Sequence, residues 1–309
     1  MTWRILTALA ATVLLAAVAI GYTLLRASPA PGTPQAGLTL DRPGLLLRDA
    51  ATGRLAVQHA DGHRDTSALD CARVYAASGT GVCLHADPLS PQLIVLDRDL
   101  TERRRIPLNG LPNRARVSAS GRMVSWTVFV TGDSYNGGRF STRSGILDTR
   151  TGTLAGNLEN FTVDGRKAAP DTNVWGVTFT ADDNLFYATV FSDGRRRLAR
   201  GDFAARDLHP LKDEVECPSL SPDGTRIAYK KMLSDGSWRL TVLDLADLAE
   251  TPTAETRSVD DQAAWIDGHT LGYALPHAGA GADVWTVPAD GTGTPRLLAP
   301  GADSPAPLG

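Results

Sequence analysis

Apolar and polar positions alternate along this chain in short bursts separated by turn residues. Over residues 217–245, three runs (Ser219-Leu220, residues 226–230 and residues 238–243) are divided by Pro222-Asp223-Gly224 and by Asp235-Gly236. Pro222 fixes φ, Asp223 can bond the backbone two residues on, and Gly224 accepts a positive φ, so the pattern predicts antiparallel strands joined by tight turns. The same unit, an apolar residue, a Gly or Asp-Asn turn and a second apolar strand, recurs with anchors at Tyr75, Val117, Phe179, Leu220 and Trp265. The spacings are 42, 62, 41 and 45 residues. Several strands per unit at a period of about 40 to 45 residues predict the blades of an all-β propeller.

Strands that close on an aspartate give a second marker, at Asp49, Asp97, Asp148, Asp202 and Asp244, with Asp290 a degenerate copy. Read as the third strand of each blade, they number six against five inner-strand anchors. One period back from Tyr75 falls among prolines and glycines, whereas one period on from Trp265 reaches Pro305. The carboxyl terminus, residues 302–308, is therefore expected to supply the missing inner strand of the first blade and so leave no open edge. The blades are expected at residues 37–63, 66–109, 112–166, 173–212, 213–258 and 259–300. The third is longest because residues 130–144 read as an inserted middle loop. No segment after residue 37 has the pattern of an amphipathic helix, so residues 38–309 read as one domain.

The nine residues Ser221-Pro222-Asp223-Gly224-Thr225-Arg226-Ile227-Ala228-Tyr229 resemble the WD40-like repeat of the TolB type. Ile266-Asp267-Gly268 is a partial copy, and the remaining turns diverge. The resemblance implies a six-bladed β-propeller of the bacterial envelope that uses one face to hold a protein or peptide.

Ahead of the repeats, residues 5–25 carry no charge and are bracketed by Arg4 and Arg26. As a helix they would span roughly 31 Å, enough for the hydrocarbon core. Residues 1–27 are a secretory signal peptide or an uncleaved anchor. The small-residue cleavage pattern is poor, because Leu25 precedes Arg26-Ala27 and Pro31 follows Ser28-Pro29-Ala30, and this favours a single-pass transmembrane helix with the propeller outside the cytoplasm. Cleavage would instead give a secreted protein. Residues 28–37, with three prolines and two glycines, form a stiff linker. All 34 acidic residues follow that linker, and only two of the 31 basic ones precede it, so 29 basic residues face 34 acidic ones there and the net charge is −5. That balance argues against a nucleic-acid surface. Arg103-Arg104-Arg105 and Arg195-Arg196-Arg197 read as solvated strand ends.

Catalytic and cofactor signatures are sparse. The sequence holds no G-x-S-x-G elbow, P-loop or dinucleotide fingerprint, and no cofactor is expected. The six histidines are scattered, and His59 and His63, four apart, fall in strand and turn rather than on a helix face, so no metal site is expected. Gly132-Asp133-Ser134 has no partner histidine placed by any pattern. Asp182-Asp183-Asn184 is explained by turn chemistry, and Asn160-Phe161-Thr162 is a chance glycosylation match. Cys71 and Cys83 could face each other across an antiparallel pair and bond in an oxidising compartment, or all three cysteines, with Cys217, could be buried small residues.

The repeat itself yields the sharpest constellation. Connections between blades and the middle loops must emerge on one face, and the connections carry Asp70, Glu214, Glu216, Asp260, Asp261 and Asp303 against Arg73 and Arg114. A ring of carboxylates would focus a negative potential there. With Gln262 and the loop residues Asp133, Tyr135 and Phe140, these acids form the expected binding rim, with a protein or peptide, basic in character, as partner. Two further readings compete with a non-enzymatic scaffold. One is an envelope hydrolase or lyase using a pair of rim carboxylates, and the other is a ligand-sensing domain.

Overall fold

The computed structural model describes residues 38–85, 87, 89–130, 141–277 and 281–309. The stretch 5–25, the linker to residue 37, and Asp133, Tyr135 and Phe140 lie outside the described residues. Among the described residues no helix is long and apolar enough to cross a membrane.

Six sheets make up six blades of a propeller. The first two hold β1 (Gly44–Asp49), β2 (Arg54–Gln58), β3 (Arg64–Asp70), then β4 (Arg73–Ala77), β5 (Thr80–His85), β6 (Gln92–Leu96) and β7 (Glu102–Pro107). The third holds β8 (Leu111–Val117), β9 (Met123–Val130), β10 (Ser141–Asp148) and the short β11 (Leu154–Ala155). The fourth contains β12 (Thr162–Val163), β13 (Arg166–Lys167), β14 (Asn173–Phe179), β15 (Leu185–Ser192), β16 (Arg195–Asp202) and β17 (Asp207–Asp213). The fifth comprises β18 (Glu216–Leu220), β19 (Arg226–Met232), β20 (Trp238–Asp244) and β21 (Glu250–Pro252). The sixth comprises β22 (Ala264–Trp265), β23 (Thr270–Pro276), β24 (Ala282–Pro288) and β25 (Arg296–Ala299). The last strand, β26 (Ala302–Leu308), returns to the first blade and pairs antiparallel with β1, from Gly44 opposite Leu308 to Asp49 opposite Ala302. The carboxyl terminus thus closes the ring as its inner strand, in the order β26-β1-β2-β3.

Successive side chains on a strand point to opposite sides, and each blade is covered on both. Val82, Leu84, Leu93 and Val95 pack toward Trp126 and Val128 of the third blade, while their neighbours Cys83, Ile94 and Leu96 pack toward Leu46, Leu55 and Val57 of the first. Two-sided burial is why the middle strands read as apolar runs such as Leu93-Ile94-Val95-Leu96 rather than as alternation. The aspartates that close third strands take the following backbone N–H groups: Asp97 those of Asp99 and Thr101, Asp148 those of Arg150 and Thr151, and Asp244 that of Ala246.

Three boundaries differ from expectation. Asp49 ends the second strand of its blade, not the third, because its Asx turn, donating Thr52 N–H to the carboxylate, has the same local chemistry on the opposite face of the ring. Residues 64–70 are the outer strand of the first blade rather than the start of the second. The long third unit owes its length to residues 156–172 as well as to the middle loop. That segment contributes β12 and β13 to the outer edge of the fourth blade, where β12 runs parallel to β17.

Cys71, just after β3, is bonded to Cys83 in β5, with the two Cα atoms 5.4 Å apart. Cys217 is free and buried.

Candidate binding face

Antiparallel order puts the between-blade connections and the loops joining second to third strands on one face, here the connection face. The remaining turns occupy the opposite face. Glu214, Glu216, Asp260 and Asp261 all lie on the connection face, as the repeat requires, but each meets a base. Arg196 Nε is 3.1 Å from Glu216 Oε1, out of line for a hydrogen bond, and Arg196 Nη1 is 3.9 Å from Glu214. Lys230 bonds Asp260, whose other cationic neighbour is Arg114 at 3.8 Å. Asp261 pairs with Arg73 at 3.0 Å. Asp303 pairs with Arg48.

The expected ring of carboxylates is therefore largely a ring of ion pairs, with Asp70 the acid that has none among the described residues. Its bases, Arg48, Arg196 and Lys230, come from second and third strands that only the closed fold brings to the rim. The preference for a basic partner loses its electrostatic ground. Gln262 is likewise occupied, donating from Nε2 to Val177 O and Pro218 O and so tying three blades together at 3.2 and 2.7 Å.

Burial pushes the Glu216 carboxyl up to about 7, against the pull of Lys230 and Arg196. For Asp260, burial acts in the same direction, but Lys230, Arg114 and Arg73 outweigh it and hold the group below its ordinary value.

Basic side chains cross the central channel. Arg73 from the second blade and Arg114 and Arg116 from the third reach across it to the sixth, to Asp261, Asp260 and the Ala263 carbonyl. Between them lies a cavity of about 20 Å³, room for a water-sized group and too small for a substrate.

Larger hollows open on the seam between the third and fourth blades, where the two-residue β11 leaves the outer edge short. On the connection face a cleft of about 410 Å³ is lined by Arg143, Asn157, Glu159, Lys167, Asp171 and Asn173, among others. A second, of about 370 Å³, lies on the opposite face around the Arg122–Asp148 pair and Asp182-Asp183-Asn184. Glu159 was not singled out by the sequence. It follows Asn157, whose side chain accepts its N–H to cap a single 3-10 turn (Leu158–Asn160), and this turn drives the carboxylate between the blades. There Oε1 accepts from Ser144 N (3.1 Å), Val174 N (3.3 Å) and Thr142 Oγ1 (3.1 Å). Burial outweighs these donors and pushes the carboxyl up to about 7.

Among the described residues six large apolar side chains stand exposed. Leu154, Leu211 and Leu297 are on outer strands, while Leu89, Leu111 and Leu233 are on the connection face. On the opposite face His59 and His63 turn out to share a partner, with Nε2 atoms 2.8 and 3.3 Å from the two oxygens of Asp65. Among the described residues no group of three or more His, Cys, Asp or Glu is arranged to hold a metal.

No family model and no curated protein matches the sequence. Solved structures do. TolB from Acinetobacter baumannii is similar at 18% identity and a TM-score of 0.62, over 88% of this chain and 67% of that one. A chain of the nidogen/laminin complex is similar at 10% identity and 0.58, over 86% and 98%. A putative TolB from Agrobacterium tumefaciens is similar at 11% identity and 0.51, over 85% and 91%. At such identities the likeness establishes the fold, and that fold is the six-bladed β-propeller found in TolB.

Proposed function

We propose that this protein is a non-enzymatic scaffold on the outer side of the cell membrane, anchored by residues 5–25 and presenting its connection face to a protein or peptide of the envelope. The observation that carries the reading is the placement of exposed Leu89, Leu111 and Leu233 on that face. Exposed apolar side chains on a face that also carries ion pairs have the composition of a recognition surface. The bond between Cys71 and Cys83 supports an oxidising, extracytoplasmic compartment.

The test is capture of envelope proteins on the full chain, compared with a Leu89→Asp, Leu111→Asp double variant of unchanged circular dichroism. A partner held by the parent and lost by the variant supports the assignment, and an identical set of partners overturns it. Amino-terminal sequencing of the native protein decides the anchor: a start between residues 28 and 37 would mean cleavage and secretion.

The hydrolase or lyase reading draws on one observation, the Glu159 carboxyl poised near neutrality beside a cleft. Its Oε1 is committed to Ser144, Val174 and Thr142, which suits a clip between blades better than an acid facing a substrate. Turnover of envelope glycans that vanishes in Glu159→Gln would reverse that judgement.

A further inference from the structure

Arg116 is 4% exposed and Arg114 7% exposed, and a guanidinium stays protonated wherever it is buried. Arg73 has Asp261 as its counter-ion. Arg114 has Asp260 at 3.8 Å, a carboxylate held more closely by Lys230, and otherwise feels Asp261, which is already paired with Arg73. Arg116 forms no ion pair with any carboxylate among the described residues. Its polar contacts are the Ala263 carbonyl at 3.1 Å and the face of Tyr75, whose centroid lies 4.3 Å from the guanidinium carbon. Cys217, beside Arg114, adds at most a weak acceptor. The Nε atoms of both Arg114 and Arg116 are buried without a hydrogen-bond partner. Both residues line the same cavity of about 20 Å³, together with Arg73, Gln262 and Ser304.

We infer that this cavity is a binding site for a small monovalent anion of halide size, chloride in the cell. Three guanidiniums from the second and third blades converge there on two carboxylates, one of them shared with Lys230, so Arg116 is left without a carboxylate of its own. Buried charge persists only where it is matched, and a water would satisfy the two N–H groups without neutralising anything. The size of the cavity selects against a carboxylate or phosphate, each of which needs room for several heavy atoms. Bound chloride would join the third blade to the sixth across the channel, acting as a central pin that complements the closure at the rim.

Crystals of the protein grown or soaked in bromide test the inference directly. One anomalous peak within hydrogen-bond reach of the Arg114 and Arg116 Nε atoms is expected, and density there with no anomalous signal identifies a water and overturns the site. In solution, replacing gluconate by chloride at constant ionic strength should raise the thermal midpoint of the full chain saturably, by about 2–4 °C. The response should disappear in Arg116→Gln. Equal midpoints in the two salts for the parent protein also overturn it, and the bromide map decides on the parent alone if the variant does not fold.

Discussion

Arg48 and Asp303 are 255 positions apart in the chain and 2.6 Å apart in the fold. The contact joins the second strand of the first blade to the last strand of the protein, and the same guanidinium donates to Cys71 O at the blade's outer connection. Both groups are partly exposed, so Arg48→Ala should cost only about 1 kcal/mol. Deleting residues 302–309 is a different matter, because it removes the whole inner strand with buried Ala302, Ala306 and Leu308 and bares the edge of β1. The truncated chain should melt about 10 °C or more below the parent, or lose its cooperative transition. An unchanged midpoint would show that the ring does not depend on this closure.

The bond between Cys71 and Cys83 closes a loop over a sequence separation of 12. A loop that short removes about 3 kcal/mol worth of chain entropy from the unfolded state. Thiol titration of the unfolded, unreduced protein should find a single reactive sulfhydryl, that of Cys217, and reduction should lower stability by an amount of that order. Three sulfhydryls before reduction would contradict the bond.

Two third-strand glycines lie directly under aromatic rings of the second strand. A Cβ on Gly201 would stand 2.1 Å from Phe186 Cζ, and one on Gly145 would stand 2.3 Å from Trp126 Cζ2, in each case the cross-strand partner. Phe186 is fully buried and has nowhere to retreat. Gly201→Ala should therefore lose about 1–3 kcal/mol in a denaturant titration. Gly156→Ala, which meets no neighbour, serves as the control and should lose almost nothing.

The ring was legible in the sequence because its punctuation is local. Asp223, Asp267 and Asp182 each take backbone N–H groups two or three residues on, so the turns announce themselves within a few positions. The same locality misplaced Asp49, since an Asx turn carries no information about which face of the ring it occupies. The hairpin of β12 and β13 escaped notice because strands of two residues have no period to detect. The state of the rim was hidden for a third reason. Glu216 and Arg196 are brought together by neighbouring blades, and Asp261 and Arg73 by the full circle, so only closure decides that these acids are paired.

Glu159 gives a pH dependence whose sign can be fixed in advance. Its carboxyl is pushed up to about 7 in the folded protein from an ordinary value of 4.5, chiefly by burial between the third and fourth blades. Between those values the folded state holds a proton that the unfolded state has released, so stability falls as pH rises. The contribution is fully present below about pH 4.5 and is lost as pH passes through about 7, and Glu216, raised for the same reason, adds a slope of the same sign. The aspartates held low, Asp148 by Arg122 and Asp223 by Ser221 and Thr225, act only at lower pH and do not enter this window. In Glu159→Gln the amide oxygen can still accept from Ser144, Val174 and Thr142, and only the second acceptance from Ser144 N, at 3.2 Å on Oε2, is given up, so most of the clip survives while its titration does not. Unfolding free energies from urea titrations at pH 5 and pH 8 should differ clearly in the parent and less in the variant, by up to about 3 kcal/mol. Equal differences in the two proteins would mean that Glu159 titrates normally and that the seam is wet enough to solvate its charge.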